Sequence, residues 1–154
     1  MSSTAEARFR VQAPNSTPRA TKVFALDATG ETVVRRLAGA GWEHATFFVA
    51  VQASSSETVL NDLSGRLRDL SEEIDTADLV VLVAGPGGQA HAASLIGEAC
   101  SRRRVMTTGF IVGVASASDS ALSKTLAQVR PWSLMVVIAN SDEYIDDMLT
   151  ALRA

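Results

Sequence analysis

At 154 residues the chain has the size of one domain, and its 47% hydrophobic and 20% charged residues supply a core and exclude wholesale disorder. A formal charge of -3 gives no basic surface for nucleic acid. The longest apolar runs, Leu79–Ala84 and Leu134–Ala139, are far too short to cross a bilayer. The single cysteine, Cys100, permits no intrachain disulfide and suits a reducing, cytoplasmic compartment. His44 and His91 have no cysteine or acidic cluster at ligand spacing, so structural zinc is not expected.

Residues 1–21 are polar, hold two prolines and lack an apolar signal core, so they are expected to be a tail. The segment Phe9–Gln12 is a candidate edge strand or clasp. From residue 22 onward a single domain follows. Lys22–Leu26 is a short apolar strand ending at Asp27, and Glu31–Ala40 reads as a helix capped by Gly41. Thr46–Gln52, aromatic and β-branched, is a strand.

Leu60, Leu63, Leu67, Leu70 and Ile74 recur at three- and four-residue steps, which predicts an amphipathic helix over 57–74. Asp78–Ala84 is apolar throughout, as in a strand buried on both faces. After the turn Gly85-Pro86-Gly87-Gly88 comes an alanine-rich helix, Ala90–Arg102. Val105–Val114 holds the fourth strand, Ser118–Val129 its helix and Pro131 the stop. Leu134–Ala139 is the fifth strand and Asp142–Leu152 the last helix.

Strands alternating with helices require parallel crossovers. The expectation is an α/β fold: a three-layer, doubly wound, Rossmann-like and mostly parallel five-stranded sheet in the order 2-1-3-4-5. Ligands in such sheets bind beside the switch point, at the carboxyl ends of the first and third strands. The loops there are Asp27-Ala28-Thr29-Gly30-Glu31 and Gly85-Pro86-Gly87-Gly88-Gln89. The second suits an anion, because glycines admit close backbone approach and a helix N-terminus offers amides. A tight turn that needs glycine for geometry alone reads equally well. In the first loop, Asp27 and Glu31 would set two carboxylates against a phosphate, a repulsion of a few kcal/mol at close range.

At these residues the chain resembles the FtsZ/tubulin superfamily. The resemblance is carried by KVFALDATGETVVRRLAGAGWEHATFFVAV, by ADLVVLVAGPGGQAHAASLIGEACSRRRVMTTGFIVGV and by MVVIANSDEYIDDML, which together cover most of residues 22–149. It implies the nucleotide-binding domain of FtsZ with degenerate loops: only Gly30 survives in the first glycine run, and Gly85, Gly87 and Gly88 in the second. It also implies a GTP or GDP site formed by Thr29, Gly30, Gly85, Pro86, Gly87, Gly88, Gln89 and Asn140, and no activation domain. Without an intact amide cradle, GTP hydrolysis is not expected.

Three functions follow from these readings. The first is a degenerate domain with no required cofactor, acting through a homo-oligomer or a protein partner and not through nucleic acid or membrane. The second is a weak binder of a nucleotide or other small anion at residues 85–89. The third is an enzyme using Asp27 or His91 as acid or base, although no catalytic set accompanies either residue.

Overall fold

The computed structural model describes residues 20–54, 57–88, 90–141 and 143–151, without the side chains of residues 51–58 and Ser116. The Phe9–Gln12 segment and Gln89 lie outside the described residues. Seven strands form one sheet: β1 (Thr21–Ala25), β2 (Ala45–Ser54), β3 (Glu57–Asp62), β4 (Leu67–Arg68), β5 (Leu79–Ala84), β6 (Met106–Val112) and β7 (Met135–Ala139). Their order is β4-β3-β2-β1-β5-β6-β7. The segment from β2 to β7 is parallel throughout, while β3 and β4 are antiparallel additions beyond β2. The helices are α1 (Ala28–Ala38), α2 (Leu70–Asp75), α3 (Ala92–Arg103), α4 (Asp119–Val129) and α5 (Glu143–Ala151).

Strand β5 sits at the centre of the parallel segment and is buried at every position. Its side chains alternate between two cores, as a strand covered on both faces must. Val81 and Val83 join Val34 and Leu37 of α1 and Ile145 and Leu149 of α5. Val80 and Leu82 join Ile74 of α2, Ile96 of α3 and Val129 of α4. Phe24 and Phe48 stack across β1 and β2 with ring centroids 5.1 Å apart. On that face the buried Lys22 reaches Glu73 of α2 at 3.6 Å.

The sheet therefore has seven strands where the sequence predicts five, and the difference lies in the predicted 57–74 helix. Thr58 and Val59 instead pair with Gln52 and Val51 of β2. The Asp62 carboxylate accepts from the backbone N–H groups of Ser64 and Arg66, and Gly65 takes a φ of 87°, which ends regular structure. A short helix then starts at a new cap, where Asp69 accepts from the Ser71 N–H at 2.8 Å. The apolar spacing that imitates one helix is assembled from β3, the turn after it, β4 and α2. Leu67, in the middle of that stripe, is 74% exposed.

Helix α1 begins three residues before its predicted start because Asp27 caps it, and its C-terminal cap is Gly39 rather than Gly41. Gly41 takes a φ of 74° two residues later. Among the described residues no helix is long and apolar enough to cross a membrane.

Candidate functional site at the switch point

Strands β1 and β5 are adjacent, and their crossovers leave on opposite faces, through α1 on one side and α3 on the other. The loop after β1 and the loop after β5 therefore meet at the carboxyl edge of the sheet. Thr29 and Gly30 lie in the first turn of α1, and Gly85, Pro86, Gly87 and Gly88 on the loop after β5.

The centre of the meeting point is Asp27. Its carboxylate accepts from the Gly30 N–H at 2.8 Å, which caps α1. It also accepts from the Gly85 N–H at 3.0 and 3.2 Å, which joins the β5 loop to the β1 loop. Burial raises the Asp27 carboxyl above its ordinary range, and the Gly30 and Gly85 amides act against that shift. Glu31 turns away and lies 3.7 Å from Arg35 on the half-exposed face of α1. The expected pair of carboxylates facing a ligand is thus corrected: one satisfies the loop amides and the other belongs to a surface ion pair.

Two further amides of this segment, those of Gly87 and Ala90, are held from α4. The Gly87 N–H donates to Thr125 Oγ1 at 2.8 Å and to the Ala121 carbonyl at 3.0 Å. The Thr125 hydroxyl, fully buried, donates to the Gly85 carbonyl at 3.1 Å. The Ala90 N–H donates to Gln128 Oε1 at 3.0 Å. Thr125 and Gln128 lie three apart and so share a helix face. Sequence reasoning missed both residues; the polar pair on an otherwise amphipathic helix is the signal that marks them.

The glycines fit between these parts. A Cβ on Gly85 would lie 2.6 Å from the Thr29 side chain. One on Gly30 would strike the Val83 carbonyl, and one on Gly88 the Asp27 carboxylate. These three glycines are required by close contact of β5 and its following loop with Asp27 and the first turn of α1.

His91, exposed at the start of α3, places Nδ1 3.5 Å from Gln128 Nε2. Asn140 is not brought to this place; it is exposed after β7, with β5 and β6 standing between β7 and β1. There it lines a pocket of about 310 Å³ with Val137, Ile138, Ala139, Ser141 and Tyr144. Among the described residues no group of three or more His, Cys, Asp or Glu could hold a metal ion.

These features define a doubly wound α/β domain with the flavodoxin-like order in its parallel strands and a switch point closed by its own side chains. The solved structures that match include the apo-form of a flavoprotein from Lactobacillus acidophilus NCFM, determined by NMR. The TM-score is 0.51 and the identity 10%, over 84% of this chain and 97% of that one. No protein-family model matches the chain. No curated protein matches it either.

The FtsZ/tubulin resemblance is overturned by these findings: the matching fold is that of a flavoprotein, and nothing supports FtsZ or tubulin. The stretches that carried it are strand, glycine turn and helix. Any doubly wound sheet needs those at its switch point, because two loops must pass within a side chain's width of each other.

Proposed function

We propose that this domain is a non-catalytic module that acts by associating with protein, either a second copy or a partner, and that it neither hydrolyses nor requires a nucleotide. The carrying observation is Asp27, whose carboxylate occupies the amides of Gly30 and Gly85 that would otherwise receive a phosphate. In electrostatic terms the chain supplies its own anion. A buried amide that already has a charged acceptor gains little by exchanging it for another.

The fold neighbour's description as a flavoprotein raises a flavin as the alternative ligand. A flavin phosphate meets the same obstacle as GTP, since Asp27 fills the position and Thr125 and Gln128 hold Gly87 and Ala90. The described residues of the site thus argue against a phosphate-bearing cofactor at this position. The buried thiol of Cys100 is consistent with a reducing, cytoplasmic setting.

The test is calorimetric titration of the full chain with GTP, GDP, FMN and inorganic phosphate. The expected result is no saturable heat with any of them. Saturable micromolar binding of one, lost in a Gly85→Val variant that remains folded, would overturn the reading.

A further inference from the structure

The two edges of the sheet are protected very differently. At one end β4 is two residues long and is flanked by Arg66, with Arg68 within it paired to Asp62 at 3.6 Å. Short, charged edges resist pairing with another strand. At the other end, residues 134–139 read LMVVIA, with no charge, proline or glycine. Leu134 is 76% exposed, Met135 52%, Ile138 42% and the neighbouring Tyr144 64%. The inner side of β7 is paired to β6 from Met135 to Ala139. The Gly113 N–H donates to the Ala139 carbonyl at 3.1 Å, so Ala139 faces β6 and alternation turns the backbone polar groups of Val136 and Ile138 to the open edge.

Resting on the proposed protein-binding function, we propose that the partner is a second copy of this chain, joined antiparallel along β7 about a two-fold axis at Val136. Opposed residues of an antiparallel pair share a face, so the axis must pass through a residue and not between two. At Val136 it sets Leu134 opposite Ile138 of the second copy and Met135 opposite Val137 of the second copy. Every exposed aliphatic side chain of the edge then meets an aliphatic one. An axis at Val137 leaves Leu134 unpaired.

The same register brings residues 133–135 of the second copy to the pocket lined by Val137, Ile138, Ala139 and Tyr144. The four exposed side chains offer on the order of 500 Å² per copy, so a pair removes on the order of 1,000 Å² before any backbone is counted, the threshold of a specific interface. A two-fold contact of this kind closes on itself and, among the described strands, leaves the two-residue β4 edges outermost.

Sedimentation velocity on the full chain tests this, with circular dichroism as the check of folding. The wild type is expected to dimerise at micromolar concentration. Leu134→Lys and Ile138→Glu, each at an exposed site, are each expected to raise the dissociation constant at least about tenfold, because each buries unpaired charges in an apolar seam. The double variant places opposite charges across both symmetric positions and is expected to recover the dimer. Val136→Cys supplies a readout independent of charge: oxidation should link two copies through the axis, Cys100 being buried.

A monomer at about 100 μM, single variants that still dimerise, a double variant that fails to recover, or no cross-link at residue 136 would each overturn the proposal. A monomeric wild type that binds no nucleotide removes only the second copy and leaves the protein-partner reading standing. A dimer that binds a nucleotide at micromolar concentration does the reverse.

Discussion

Replacing Asp27 by alanine removes two structural connections at once. The bond to the Gly30 N–H, at 2.8 Å, is an N-terminal cap of α1, and losing such a cap costs about 1 kcal/mol. The bond to the Gly85 N–H, at 3.0 Å, is charge-assisted and half-buried, and leaving that amide unmet costs about 1–2 kcal/mol more. The expected loss is therefore about 2–3 kcal/mol, which for a domain of this size lowers Tm by roughly 5–10 °C. Urea unfolding of wild type and variant gives the difference directly, and amide exchange should show faster exchange at Gly30 and Gly85. Asp27→Asn keeps an acceptor oxygen within reach of both amides and should cost less. A variant Asp27→Ala within about 0.5 kcal/mol of wild type would refute the view that this carboxylate joins the loops.

The same residue carries a pH dependence of definite sign. Burial is the largest influence on Asp27 and raises its carboxyl above the ordinary range. The folded state therefore holds the proton more tightly than the unfolded state. This contribution to stability is fully present below the unfolded value and is lost as pH rises through the raised folded value. Wild type should thus lose stability relative to Asp27→Asn as pH rises across that window. A difference that is flat, or that grows with pH, would mean that the Gly30 and Gly85 amides outweigh burial at this carboxyl.

Other perturbations give independent checks. Thr125→Val removes one of the two acceptors of the Gly87 N–H, the Ala121 carbonyl remaining, and the donor to the Gly85 carbonyl, and should cost about 1–2 kcal/mol in urea unfolding. Gly88→Ala drives a methyl group into the Asp27 carboxylate and should destabilise by about 1–3 kcal/mol, with much less added in an Asp27→Ala background; this coupling is read by a double-mutant cycle. Asp62 has the opposite pH behaviour to Asp27. The Ser64 hydroxyl and then the Arg66 N–H hold its carboxyl below the ordinary range, so its contribution is present above the unfolded value and fades as pH falls through the folded one. Relative to the intrinsic exchange rate at each pH, amide protection in the 62–66 turn should fall in acid, and should not do so in Asp62→Asn. Cys100, whose thiol burial pushes up, should react with a thiol reagent only after denaturant is added.

Sequence made the parallel heart of this fold legible because buried parallel strands have no alternative reading. The run Leu79–Ala84 has too few residues for a helix and no polar face for an exposed strand. The β3–β4 ribbon was illegible for a related reason. Leu60, Leu63, Leu67, Leu70 and Ile74 satisfy a helical period, and the residues that decide against a helix are two local ones. Asp62 closes a turn through its side chain and Gly65 adopts a left-handed backbone. Neither outweighs a stripe of five apolar residues until pairing with β2 is known, since a strand's stability comes from a neighbour distant in sequence.

The location of the switch-point loops was likewise legible, while the direction of each side chain was not. A glycine beside a phosphate and a glycine beside another loop answer the same steric demand, a backbone approaching closer than a Cβ allows. Sequence therefore cannot separate them, and a family resemblance built on glycine turns inherits the ambiguity. The deciding atoms belong to other residues: Asp27, which faces Gly88, and Thr29, which faces Gly85. Asp27 also reverses the meaning of its own charge. Facing outward, a carboxylate there would repel a phosphate; facing inward, it accepts from the Gly30 and Gly85 amides. Closure of the switch point thus needs no missing residue, only an acidic one at the end of β1. Among the described residues, β7 beyond β6 is the edge where several large aliphatic side chains are exposed together.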